Sequence, residues 1–147
     1  MKRKATAPPD GESPFITAVK RWAGQENDPR VWIVLSYLAK VAVGRDNAVP
    51  LNELVRLLAF HGFKVDARWI QHNIIVRSRE ARDGAFIGSG HDGIYLIAHP
   101  TDTAVMARWY KDRLASENAH LQHLRRLTVD FGWPTPEEAD PQRDLGL

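Results

Sequence analysis

The sequence contains no cysteine among its 147 residues. A disulfide framework and a thiolate metal site are therefore excluded, and a reducing compartment is expected. No apolar run approaches the roughly 20 residues that a membrane-spanning helix needs. The amino-terminal residues also lack the apolar core of a secretion signal. These absences favour a cytoplasmic protein that does not enter a membrane.

The chain also has little excess charge. It carries 20 Lys and Arg against 18 Asp and Glu, and a net charge of +2 does not by itself indicate nucleic-acid binding. The charge is unevenly distributed, because residues 1–10 and 61–82 are basic whereas residues 132–147 are acidic. An apolar fraction of 44% is enough for a hydrophobic core in one domain.

Residues that could catalyse a reaction or bind a metal are scattered. Of the six histidines, His120 and His123 have helical spacing but no neighbouring carboxylate cluster. The run Gly88-Ser89-Gly90 lacks the lysine of a phosphate-binding loop and precedes a strand pattern rather than a helix. We therefore predict no catalytic site, no metal site and no cofactor, and the protein is not expected to be an enzyme.

Two helix start signals precede the central segment. Ser13-Pro14 and Asp28-Pro29 each place a capping side chain before a proline at the first helical position. The second helix, from Pro29 to about Val43, has little polar face and should be largely buried. Residues 1–12, which are basic and then rich in proline and glycine, are predicted to form a flexible tail.

The central segment predicts two helices separated by a turn. Leucine and valine recur with i, i+3, i+4, i+7 spacing over 51–60, which indicates a helix with one core face. Gly62 should end this helix in the left-handed region. Asp66 can cap a second helix, from 67 to about 80.

The second of these helices carries a candidate DNA-reading face. On a helical wheel at about 100° per residue, Ile70 and Ile74 share one side, and two arginines, a histidine and an isoleucine share the other. Arginine can bind guanine edges or phosphates, and an apolar side chain can meet a thymine methyl group. An ordinary solvated basic face is the alternative. The DNA contacts predicted here are Lys64, Arg68, Gln71, His72, Ile75, Arg79 and Arg82.

Two apolar runs, 85–87 and 94–98, flank a polar, glycine-rich loop and predict a β-hairpin whose loop is longer than the tightest turns. The sequence IGSGHDGIYLI resembles the wing of winged helix-turn-helix domains in prophage-type and biotin-repressor-like bacterial regulators. The resemblance covers about residues 48–100. It implies that one helix enters the major groove, that Ser89 and His91 in the wing lie beside it, and that a short strand at 48–50 joins the wing.

The sequence departs from this family pattern in two ways. The segment between Ile74 and Gly84 is longer than a compact recognition helix needs, so the helix should overrun or kink near Arg77. His91 and Asp92 occupy the wing loop where a lysine or arginine often sits. This predicts a weak contact between the wing and phosphate, or one that depends on protonation of His91.

Beyond Pro100 the pattern predicts one helix to about Phe131, roughly 43 Å long. A heptad seam along it predicts a homodimer. Folding of the helix onto its own core is the alternative. The residues predicted to pair subunits are Tyr110, Leu114, Leu121 and Leu124. Residues 133–147 are predicted to be an acidic flexible tail.

The sequence therefore predicts a mainly α fold with a small β-hairpin, an α+β class. A winged-helix domain with an amino-terminal helical extension spans 13–100, and a long helix spans 101–132. The predicted function is binding of double-stranded DNA by a dimeric bacterial or phage regulator of transcription or replication. The alternative is a protein-interaction module that acts as an adaptor in a DNA-processing complex, with the long helix docking a partner.

Overall fold

The structure, a computed structural model, describes residues 12–80, 84–113 and 117–142. Most of these residues are helical, and the sheet within these ranges is a two-stranded antiparallel hairpin. The predicted α+β class is therefore confirmed. No helix in the described ranges combines the length and the apolar character needed to cross a bilayer.

The elements follow the predicted order up to the hairpin. They are α1 (Pro14–Gln25), α2 (Pro29–Val41), a 3-10 turn (Arg45–Asn47), α3 (Leu51–Phe60), α4 (Ala67–Ile70), a π-helical segment (Gln71–Val76), α5 (Arg77–Glu80), β1 (Ile87–Gly90), β2 (Gly93–Leu96), α6 (Pro100–Lys111), α7 (Asn118–Asp130) and α8 (Pro136–Ala139). Helix α4, the π-helical segment and α5 follow one another without a break, and together we call them helix 67–80.

Local sequence signals account for where the amino-terminal helices begin and end. The side chains of Ser13, Asp28 and Asp66 each accept hydrogen bonds from backbone N–H groups in the first turn of the helix that follows. Gly62 follows α3 with φ +90°, the left-handed conformation that glycine adopts at little cost. The predicted caps at Ser13, Asp28 and Asp66 and the predicted left-handed conformation of Gly62 are confirmed.

The hairpin lies between two hydrophobic clusters. One cluster joins the hairpin to α1, α2, α3 and helix 67–80, and its hairpin members are Ile87, Ile94 and Leu96. The other joins the hairpin to α6 and α7, and its members from 86–97 are Phe86, Tyr95 and Ile97. Both faces of the hairpin are therefore covered, and its exposed part is the turn.

The turn is tighter than predicted. Gly90 pairs with Gly93, so only His91 and Asp92 lie between the strands. At the outer edge of β2, the N–H of Val49 donates to the carbonyl oxygen of Ile94 at 2.8 Å, and the reverse bond measures 2.9 Å. The segment 48–50 thus pairs with the hairpin at Val49, but as an isolated bridge and not as the short strand that was predicted.

The prediction of one long helix after Pro100 is wrong. Helix α6 ends at Lys111, residues 112 and 113 are not helical, and α7 begins at Asn118 and packs against α6. Folding back buries the apolar seam, which a straight helix would leave in water.

Three of the four residues predicted to pair subunits belong to the chain's own core. The exposed fractions of Tyr110, Leu121 and Leu124 are 3%, 5% and 0%. All three belong to the cluster that covers the hairpin. This corrects their assignment to a dimer seam. Leu114, the fourth predicted residue, lies outside the described residues.

The predicted acidic flexible tail is also wrong for residues 133–142. Trp133 is buried, with an exposed fraction of 5%. Glu137 forms an ion pair with Arg125 at 2.6 Å. Asp140 pairs with Arg108 of α6 at 2.5 Å. Acidic residues that suggested a solvated tail thus bind basic residues of α6 and α7. The predicted flexible segments 1–11 and 143–147 lie outside the described residues.

Candidate nucleic-acid interface

The first half of helix 67–80 presents polar and basic side chains to solvent. Arg68, Gln71 and His72 are exposed, as is Lys64 in the turn before the helix. Arg68 lies in the first turn, which Asp66 fixes by accepting a hydrogen bond from the N–H of Trp69 at 2.9 Å. These four predicted contact residues therefore lie at one end of the helix and are accessible together.

Two cations lie on this surface, Lys64 and Arg68. Within the described residues, no ion pair involves Lys64 or Arg68. Asp66 is the acidic residue nearest to them in the sequence, and its carboxylate caps the helix. The positive charge is therefore available to an anionic ligand.

The π-helical segment ends this exposed face. A π turn takes one residue more than an α turn, so every later side chain is rotated by about 100° relative to a regular wheel. Ile75, predicted to face DNA, has an exposed fraction of 3% and packs in the core beside Ile74. The assignment of Ile75 to a thymine contact is therefore wrong.

Arg79 is buried for the same reason. Its exposed fraction is 7%, whereas the regular wheel placed it on the solvent side with Arg68. One guanidinium nitrogen, Nη2, donates to Ser89 Oγ at 2.7 Å and to the carbonyl oxygen of Ile87 at 3.2 Å. Its assignment as a DNA contact is therefore wrong, because Arg79 joins the end of helix 67–80 to strand β1.

Aromatic rings complete the environment of this arginine. The guanidinium carbon lies 5.4 Å from the ring centre of Phe86 and 5.3 Å from that of Tyr110. Such contacts favour a cation when water is excluded. Burial nevertheless lowers the pKa of Arg79, because the charged form loses its hydration. The Nε atom has no hydrogen-bond partner within the described residues.

The hairpin contributes less to the surface than the winged pattern implied. His91 is exposed at the turn, but Ser89 is only partly exposed. The Ser89 hydroxyl accepts the hydrogen bond from Arg79. The backbone N–H of Ser89 donates to the Met106 sulfur, with 3.2 Å between nitrogen and sulfur. Ser89 therefore serves packing between the hairpin and α6. Arg82, also predicted to contact DNA, lies outside the described residues.

The hairpin glycines explain the motif that carries the family resemblance. A Cβ atom on Gly88 would lie 2.5 Å from the ring of Tyr95, its cross-strand neighbour. The tyrosine ring therefore lies directly over the glycine. A Cβ atom on Gly93 would lie 2.0 Å from the carbonyl oxygen of Val49. Gly88 and Gly93 therefore permit close packing of the hairpin against Tyr95 and Val49.

Sequence reasoning missed one exposed residue beside this surface. Phe60, the last residue of α3, has an exposed fraction of 85%. Its position on the wheel, off the face formed by Leu54 and Leu58, was a signal that could have identified it. No comparable signal marks Arg79, since an arginine on the polar side of a regular helical wheel is ordinarily solvated.

The described residues hold no group of three or more histidine, aspartate and glutamate side chains arranged to bind a metal ion. Comparison with protein-family models, with curated proteins and with solved structures finds no match.

Proposed function

We propose that this chain is a DNA-binding protein of the winged helix-turn-helix type. In this arrangement α3 supports helix 67–80, whose first half enters the major groove. The observation that carries the proposal is the exposed group Lys64, Arg68, Gln71 and His72, which follows a glycine turn and forms no ion pair with the rest of the described residues. The family resemblance of the hairpin supports a regulator of bacterial or phage type.

Each exposed side chain has a role that follows from its chemistry. Arg68, in the first turn, is placed to form paired hydrogen bonds with a guanine edge. Gln71 can do the same with adenine. Lys64, which precedes the helix, is suited to a phosphate. Its ammonium group is a compact charge that does not form the two parallel hydrogen bonds an arginine forms with a base edge. His72 lies one turn after Arg68 and can contact either group.

The proposal narrows the surface predicted from sequence. Ile75 and Arg79 are excluded because they are buried. Of the hairpin, only the turn at His91 and Asp92 is available to reach the DNA backbone. The proposed complex does not use Tyr110, Leu121 and Leu124 to pair subunits, since these side chains are buried within the chain.

The test is the affinity of the Arg68→Ala variant for duplex DNA. A site selected from random duplexes by the parent protein is titrated by fluorescence anisotropy at several salt concentrations. We expect Arg68→Ala to weaken binding to this site by about tenfold or more and to relax its sequence preference. We expect Lys64→Ala to weaken binding to all duplexes alike. It should also lower, by about one, the slope of the logarithm of affinity against the logarithm of salt concentration.

Arg21→Ala is the matched control, because Arg21 is an exposed arginine on α1. The substitution removes the same charge from another face of the protein. The affinity of this variant for DNA should be within about twofold of the parent's. Circular dichroism checks that each variant is folded. The proposal is wrong if the parent fails to bind duplex DNA at low salt, or if the Arg68 and Lys64 variants bind as the parent does.

A protein-docking function is the second candidate. It is favoured by two apolar side chains on helical surfaces, Trp32 of α2 and Val129 of α7, with exposed fractions of 51% and 60%. Singly exposed apolar side chains occur on most protein surfaces, so they support this candidate less than the basic surface supports the first. Absence of salt-dependent DNA binding would make this candidate the better one.

A further inference from the structure

Phe60 is the most exposed of the large apolar side chains in the described ranges. Its exposed fraction is 85%, whereas Phe63, three residues later, packs against the core. Burying a phenylalanine is ordinarily favourable. The turn itself is well determined, because the N–H of Phe63 donates to the carbonyl oxygen of Leu58 at 2.8 Å. The ring is therefore presented from a fixed helix end.

The residues around this ring are basic or polar. Arg56 lies one helical turn before Phe60 and is exposed, so the two side chains share a side of α3. His61 is exposed and its ring lies 5.4 Å from that of Phe60, perpendicular to it. Lys64 follows in the same turn. A single exposed aromatic ring among cationic side chains complements an anionic ligand that carries flat apolar groups.

The carboxylates nearest in sequence are already engaged. Glu53 accepts a hydrogen bond from the hydroxyl of Tyr37 at 2.5 Å. Asp66 caps helix 67–80. Neither forms an ion pair with Arg56 or Lys64 within the described residues. The charge around Phe60 thus favours a polyanion over an acidic or neutral apolar partner.

We propose that Phe60 stacks on an unpaired nucleobase, and that the preferred ligand is a DNA duplex with a single-stranded segment at one end. This inference rests on the proposed function, in which Lys64, four residues after Phe60, and Arg68 hold the duplex. Stacking suits the site because every base has a π face, whereas a paired base inside a duplex offers none. Phe60 then distinguishes DNA with an unpaired end from a blunt duplex, and helix 67–80 contacts the paired bases.

The test compares binding of one duplex in three forms: blunt, with a 3′ overhang of thymidines, and with a 5′ overhang of thymidines. The parent is expected to bind one overhang form about tenfold more tightly than the blunt form, the size usual for base stacking on an aromatic residue. Phe60→Ala should abolish this preference and leave blunt binding unchanged.

Two substitutions separate stacking from general apolar contact. Phe60→Trp should keep the preference for the overhang, and Phe60→Leu should lose it. A 2-aminopurine base at the first unpaired position gives a direct readout, since its fluorescence should change on binding of the parent and of Phe60→Trp only. Because Phe60 is outside both hydrophobic clusters, all three variants should melt close to the parent.

The outcomes distinguish the inference from the proposed function. If Arg68→Ala weakens binding but Phe60→Ala matches the parent on all three DNA forms, the inference is wrong and the proposed function stands. If the parent binds no DNA, both are wrong. A change in sedimentation of Phe60→Ala, with DNA binding unchanged, would assign the ring to a protein contact and overturn the inference.

Discussion

The two halves of helix 67–80 place the same kind of residue in opposite environments. Arg68 and Arg79 are 11 residues apart, a spacing that puts them on one side of a regular α-helix. Arg68 is exposed, but only 7% of Arg79 is exposed. The difference shows that one extra residue in a π turn converts a surface position into a core position.

The two halves also differ in what holds them. The first half has a local cap from Asp66, and it buries Ile70 in the cluster that it shares with α1, α2 and α3. The second half is held by contacts distant in sequence, from Arg79 to the hairpin and from Arg77 to Glu26 near the end of α1. We expect mutations in the second half to affect stability, and those in the first half to affect binding.

The largest loss of stability should come from disrupting the hairpin, which covers the second half of helix 67–80. Gly93→Ala would place a Cβ atom 2.0 Å from the carbonyl oxygen of Val49, at a residue with φ +122°. Backbone strain and overpacking together should cost about 3 kcal/mol or more of unfolding free energy. Urea denaturation measures the loss.

Gly90→Ala is the matched control, because nothing lies within 4 Å of a Cβ atom there and φ is not positive. It occupies the other end of the same turn and should change stability by less than about 1 kcal/mol. Equal losses from both substitutions would contradict the close approach of Val49 to β2.

Arg79→Ala should have the next largest effect. The substitution leaves a cavity between Phe86 and Tyr110 and removes the donor to Ser89. We expect a loss of about 2–3 kcal/mol in the free energy of unfolding. Arg68→Ala, on the exposed half, should change it by less than about 0.5 kcal/mol.

Arg79→Met separates the loss of buried volume at this position from the loss of charge. Methionine keeps much of the buried volume without a desolvated charge, so it should lose less stability than alanine. All three variants are compared by denaturation in urea. Parent-like stability of Arg79→Ala would mean that Arg79 faces solvent and that the helix is regular.

The smallest effect concerns the anchor between Glu26 and Arg77. Only 7% of the Glu26 side chain is exposed. Burial raises the pKa of its carboxyl, but hydrogen bonds from the Asp28 N–H, the Trp22 ring and Arg77 together hold that pKa below its ordinary value of 4.5. The folded state therefore binds this proton less readily than the unfolded state.

The resulting stabilisation is complete above the ordinary pKa and is lost as pH falls through the lower folded value. Thermal melts of the parent should lose stability on acidification below about pH 5. Glu26→Gln should be about 1 kcal/mol less stable at neutral pH and less sensitive to acid. The exposed Glu80→Gln controls for loss of one carboxylate; an identical pH profile for both variants would contradict the role of Glu26.

Features that depend on neighbours in the sequence were predictable. The bounds of α3, the caps at Ser13, Asp28 and Asp66, the left-handed Gly62 and the existence of the hairpin all followed from residue type and spacing. The exposure of Arg68, Gln71 and His72 followed in the same way, because these residues lie within two helical turns of the cap at Asp66. The winged arrangement and DNA binding stay predictions.

Sequence by itself thus determined where most elements begin, end and turn, since caps, glycines and periodicity act over a few residues. Tertiary structure decided which surfaces meet. The π-helical segment, the burial of Arg79, and the packing of α7 and α8 onto α6 depend on contacts between residues far apart in the chain. A regular wheel and a straight heptad seam leave those contacts out, and burial of apolar area across them outweighs the local preference for a continuous α-helix.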